Sequence, residues 1–162
     1  MPKLNPTKND LPKIARAAMV DLLNAGLADA LHLALQAKQA HWNVKGPHFL
    51  PLHELFDKLY AEAGDWADLM AERAVQLGGT AEGTLTSVVG RTRLPAYKLG
   101  AAGGDAHLKA VIGSVSAFAT WVRGAIEEAD KADDTGTEDL LTEISRAVDK
   151  MLWFLEAHLV GK

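Results

Sequence analysis

The sequence predicts an all-α protein, a single four-helix bundle with one long crossover. Four long stretches with apolar residues at helical spacing account for most of the 162 residues. Their three links run short, long, short, and no internal repeat, second domain or low-complexity segment interrupts them. With 48% apolar residues and a net charge of −4, the chain can bury a full core and is not a strongly basic nucleic-acid binder.

The first helix is expected to open after Asn9 and Asp10, both good caps, with Pro12 in its first turn. Its stripe is Val20, Leu23, Leu27, Leu31, Ala34 and Lys38, and it reaches His41–Trp42 before Gly46–Pro47 ends it. The second runs from about Leu50 to Leu77 and stops at Gly78–Gly79. Leu52, Phe56, Leu59, Ala63, Trp66, Met70, Ala74 and Leu77 form its core face. The connection from Gly79 to Gly104 has room for one short helix around Leu85–Val89. The third helix begins near Asp105 and carries Leu108, Val111, Val115, Phe118, Val122 and Ile126. The fourth starts around Thr137, with Leu140, Leu141, Ile144, Val148, Met151 and Leu155. This is the ferritin-like plan. Residues 1–9 are expected to be a flexible N-terminal tail, and 10–162 one domain.

There is no cysteine, which excludes disulfides, thiolate catalysis and Cys-ligated metal, and fits a cytoplasmic protein. MPKLNPTKND lacks the apolar region of a secretory signal. No window is expected to approach the length of a membrane span.

The most informative residues are His53, Asp57, Asp68 and Glu72. They are two i,i+4 pairs mirrored about residues 62 and 63. All four fall within an arc of roughly 100° on one helix, yet Asp57 and Asp68 stand about 16 Å apart along the axis. One helix cannot bring both pairs onto one ion. An antiparallel second copy would set His53 and Asp57 against its own Asp68 and Glu72, as a self-complementary two-fold interface requires. Ala61 and Gly64, between the pairs, are small enough for close approach. Carboxylates opposite a core stripe also occur as a plain solvated face, but the histidine and the mirrored spacing argue for a shared metal site. HELFD begins like the zinc-protease motif HExxH but has Asp57 where the second histidine belongs. His41 ends the first helix across a tight Gly-Pro turn, so both imidazoles can meet at one end of the bundle. Mixed nitrogen and oxygen donors suit iron, zinc or manganese rather than calcium or magnesium. No Glu-x-x-His occurs, so the site is expected between subunits rather than inside the bundle.

Lys38-Gln39-Ala40-His41-Trp42-Asn43, His53-Glu54-Leu55-Phe56-Asp57, Asp68 through Met70-Ala71-Glu72-Arg73-Ala74-Val75-Gln76-Leu77-Gly78-Gly79, and Asp149 through Glu156 together resemble Dps, the mini-ferritins named as DNA-binding proteins from starved cells. The resemblance covers nearly all the chain after the tail. It implies a hollow homododecamer of tetrahedral symmetry with a ferroxidase centre at each two-fold interface. His41, His53 and Asp57 would come from one subunit, Asp68 and Glu72 from its mate. The activity implied is oxidation of Fe(II), preferentially by hydrogen peroxide, with storage of the ferric product in the cavity and protection of DNA from radicals. Trp42 and Trp153 match tryptophans near the family's centre that intercept radicals; equally, they are large core and interface fillers. Trp66 and Trp121 are expected to be packing residues, and His32, His107 and His158 structural or surface residues. His48, in the turn, is a lesser candidate for peripheral metal. The resemblance also places three-fold iron-entry pores in the acidic region Glu127–Asp139, with Asp130, Asp134 and Asp139 as candidates. The helix dipole alone accounts for Glu138 and Asp139. Lys3, Lys8, Lys13 and Arg16 are the candidates for DNA contact, which would put the protein on the nucleoid. The competing reading is a DNA-compacting protein whose metal site is vestigial or filled by zinc.

Overall fold

The computed structural model describes residues 2–159. Five α-helices follow in order: α1 Lys13–Asn43, α2 Phe49–Gln76, α3 Leu85–Arg91, α4 Gly104–Lys131 and α5 Thr135–Glu156, with a 3₁₀ turn at Ala157–Leu159. α1 packs on α2 and α4 on α5 as two hairpins. α1 also touches α4 and α3, and α2 touches α5. A Cβ on Gly104 would come within 2.8 Å of Leu52, so α4 starts beside the start of α2. The crossover therefore runs back along the bundle and makes α2 and α4 parallel.

All eight residues of the α2 stripe are buried. So are the α4 residues from Leu108 to Val122 and the α5 residues from Leu141 to Leu155 that form the expected stripes, while Ile126 and Leu140 are partly buried. Phe118 sits at the centre, stacked between Trp66 at 5.9 Å and Trp121 at 5.7 Å. These two tryptophans are packing residues, as expected.

α1 departs from its expected stripe. Leu31 and Lys38 are only half-buried, whereas Ala30, Leu33, Ala37 and Ala40 are fully enclosed. α1 is gripped by three elements, so its buried arc is too wide for a single stripe. The membrane expectation also needs correction, because α1 is long and apolar enough to cross a membrane by length and composition. Here 61% of that window is buried in the bundle, and its Asn24, Asp29 and Gln36 bond to the crossover. It behaves as a core helix.

Asn9 and Asp10 do not cap α1. Pro12 holds the N-cap position, while Asn9 Oδ1 accepts from the Leu11 amide at 3.0 Å in a local turn. The segment before α1 lies against the body: the Asn5 amide donates to the Gly78 carbonyl at 2.7 Å, and Leu4 and Leu11 pack on the core. Gly78 has φ +89°, and a Cβ there would stand 2.9 Å from the Asn5 carbonyl. Its lack of a side chain both ends α2 and seats the tail.

Candidate metal centre

The His41 and His53 rings stack with centroids 3.6 Å apart. His41 Nδ1 donates to the His53 carbonyl at 2.8 Å, and His53 Nδ1 donates to the His41 carbonyl at 2.9 Å. A carbonyl only accepts, so both Nδ1 atoms must carry a proton, and in the neutral rings it is Nε2 that keeps a lone pair for a ligand. This reciprocal bond joins the end of α1 to the first turns of α2. It fixes the tautomer and orientation that an Nε2 metal ligand needs.

Asp57 follows one turn after His53 and is half exposed. Its carboxylate accepts from Lys38 Nζ, which also lies 4.7 Å from the Tyr60 ring centroid. That Lys38 bond, aided by the positive field of the Lys38 ammonium, holds the Asp57 carboxyl below its ordinary range. The sequence reading missed Lys38 as a site residue. Its position three residues before His41, on the same side of α1, was the available signal.

Asp68 and Glu72 are exposed farther along the same face of α2, with Ala61 and Gly64 open between the pairs. A Cβ on Gly64 would meet nothing within 4 Å. Among the described residues, no group of three His, Asp or Glu side chains is close enough to hold an ion. One subunit offers two imidazoles and one carboxylate at one end of this face, and two carboxylates at the other.

Trp42 and Trp153 are 68% and 64% exposed, which removes the core-filler alternative for both. Phe49, Tyr60 and Val75 leave further apolar surface open on the face of α2 that carries His53 and Asp57. His48 is exposed beside the first turn of α2. His158 donates to the Phe154 carbonyl at 2.8 Å. His107 is buried against Tyr97, whose hydroxyl bonds its Nδ1. Burial lowers the His107 pKa and pushes the Tyr97 phenol up to about 12.

Two residues proposed for other roles are committed elsewhere. Asp134, expected at an iron-entry pore, is only 2% exposed and caps α5. Its carboxylate accepts from the Thr137 amide at 3.1 Å, the Thr137 hydroxyl at 2.6 Å and Arg73 Nη2 at 2.6 Å. Buried and held by three donors, it presents no open face to a passing cation. Asp130 and Asp139 are exposed. Arg16, expected to touch DNA, donates to the Leu11 and Leu77 carbonyls, both at 3.1 Å. It ties the tail to the end of α2, and only Lys3, Lys8 and Lys13 remain exposed.

Residues 20–161 match the family model of the ferritin-like domain, the class of protein that the two hairpins and their crossover define. A "DNA protection during starvation protein" of Agrobacterium fabrum is 46% identical over 160 residues, covering 99% of each chain. Among solved structures, DpsA14 from Streptomyces coelicolor is 37% identical with a TM-score of 0.90, over 96% of this chain and 94% of that one. A Dps protein from Bacillus brevis is 32% identical with a TM-score of 0.85, over 90% and 97%. The chain belongs to the Dps family of ferritin-like proteins.

Proposed function

We propose that this protein is a ferroxidase and iron store whose centres are shared by two-fold-related subunits of a hollow dodecamer. The observation that carries the reading is the reciprocal His41–His53 lock, with Asp57 beside it and the complementary carboxylates at the far end of the same face. Fe(II) is the substrate. His41 and His53 meet it through Nε2, Asp57 exchanges its Lys38 partner for the cation, and the partner subunit's Asp68 and Glu72 supply further oxygens. Imidazole and carboxylate together suit Fe(II), and the added carboxylates favour Fe(III) once formed.

Hydrogen peroxide is the preferred oxidant in this reading. Two ferrous ions each give one electron, the O–O bond breaks, and both oxygens leave as hydroxide. Supplying the electrons as a pair avoids the hydroxyl radical that a lone ferrous ion would release, which is how DNA would be protected. Exposed Asp130 and Asp139 remain the candidates for drawing cations toward the cavity. Exposed Trp42 and Trp153 remain candidates for intercepting stray radicals.

The test is an anaerobic Fe(II) titration followed by peroxide. Two ferrous ions should be oxidised per peroxide, with little spin-trapped hydroxyl radical. A protein that retains zinc and leaves Fe(II) to react as free iron does would support the vestigial-site reading instead.

DNA contact through the tail is a second, separate proposal, carried by the exposed Lys3, Lys8 and Lys13 that a closed assembly would repeat. The DNA mobility shift should weaken steeply with salt, by counterion release, and weaken further on deletion of the residues before Asp10. Iron oxidation should survive that deletion, since no ligand lies there. Equal DNA affinity with and without the tail would exclude the mechanism that rests on the tail lysines Lys3 and Lys8.

A further inference from the structure

The crossover is fastened to α1 and α4 by a line of hydrogen bonds whose direction is fixed at both ends. At one end Gln36 Nε2 meets the Pro95 carbonyl at 2.8 Å, which only a donor can do. The Ser114 hydroxyl donates to Gln36 Oε1 at 2.6 Å. The same Gln36 Nε2 lies 3.0 Å from His32 Nε2, so that ring nitrogen must be an unprotonated acceptor. At the other end the Thr92 hydroxyl donates to Asp29 Oδ1 at 3.1 Å. Its oxygen is left to accept from His32 Nδ1 at 2.8 Å. Neutral His32 protonated on Nδ1 satisfies every bond. A second proton on Nε2 would point at the Gln36 amide nitrogen, donor against donor. Rotating the Gln36 amide offers no escape, because its oxygen would then face the Pro95 carbonyl.

We propose that His32 is a proton-operated latch: the neutral ring holds residues 92–95 of the crossover against α1, and protonation releases them. The proposal does not depend on the iron reading. The charged groups around the ring are few. On α1, Asp29 is held by Arg93 of the crossover, with Arg93 Nη2 at 2.6 Å, Nε at 3.1 Å and its backbone amide at 2.7 Å. On α3, Arg91 is paired with Asp21 and Glu82. α4 contributes the neutral Ser114 and the Trp121 ring, over which the Arg93 guanidinium lies at 4.6 Å. Burial lowers the His32 pKa, and the Asp29 charge opposes it without winning. The folded ring therefore binds its proton less readily than the free side chain. The latch's contribution to stability is complete above 6.5, the free-histidine value, and is lost as pH falls through the lower folded value.

Hydrogen exchange read by mass spectrometry on the assembled particle tests this. Peptides covering residues 92–98 should lose protection as pH falls below 6.5, after correction for intrinsic exchange by reference peptides. The gain in opening should be roughly 10-fold, the worth of about one net hydrogen bond. His32→Gln can donate to Thr92 and accept from Gln36 but cannot titrate, so it should stay protected across the range. Thr92→Val removes the partner of His32. It should be loose at neutral pH and gain little more in acid, which keeps the test decisive if His32→Gln packs poorly. Wild-type protection that is flat with pH overturns the latch. So does an undiminished acid step in His32→Gln, which would assign the step to the Tyr97–His107 pair that joins the same crossover to α4, or one in Thr92→Val.

Discussion

Asp57→Ala and Glu72→Ala should each abolish peroxide-dependent iron oxidation, and mixing the two inactive proteins should restore part of it. In the shared-site reading, each substitution damages both centres of a homodimer. Each should cost more than the about 10–100-fold that loss of a mere supporting group costs a metal site. A mixed dimer differs, since one centre carries both defects and the other carries neither. If subunits combine at random, half of the dimers are mixed and half of their centres are intact, so about one quarter of wild-type activity should return. The measurement is the oxidation rate of particles unfolded and reassembled together, with mixing verified by mass. No recovery in mixed particles would place both carboxylates in one subunit's own site and sink the two-fold reading.

Arg73→Ala should be among the most destabilising surface-to-core changes in the chain. Arg73 Nη2 and Nε reach Asp134 and Thr137 at 2.6 and 3.0 Å. Gly136 leaves the room in which the guanidinium lies, since a Cβ there would stand 2.8 Å from Arg73 Nη2. Removing the cation leaves a buried carboxylate without its counter-charge, which costs about 3–5 kcal/mol. For a chain of this size that lowers the melting temperature by about 10 °C. Asp134→Asn on the Arg73→Ala background should recover part of the loss, because the amide still accepts the capping bond from Thr137. If Arg73→Ala melts like the wild type, the pair does not fasten α2 to the start of α5.

The parts legible in the sequence were those where one periodic signal answered one neighbour. α2 buries a single stripe, so its eight apolar residues could be read off directly, and the polar face left over displayed the mirrored His53/Asp57 and Asp68/Glu72 pairs. α1 is gripped on three sides, and much of its buried surface is alanine, which carries no periodic signal of its own. The acidic region shows the same limit for polar groups. A carboxylate that caps a helix and one that faces solvent look alike in a string of Asp and Glu, and only the position of Arg73, 61 residues away, separates Asp134 from Asp130. Lys38 escaped because it was assigned to a stripe, although a half-buried lysine keeps its ammonium free to find Asp57. Arg16 escaped because its acceptors are backbone carbonyls, which any residue supplies.

The crossover also bears on the order in which the chain folds. The α1–α2 and α4–α5 hairpins close over short loops and need only local contacts. The clasp of Arg93 on Asp29, like that of Gln36 on Pro95, joins residues about sixty positions apart, so each closes a far longer loop than either hairpin turn and is slower to form. Contacts that form after the rate-limiting step govern how fast the native state is lost rather than how fast it is reached. A strap that closes last in this way is a device for persistence. It sets how long a subunit outlasts its own fluctuations, while the two hairpins set how quickly it arises.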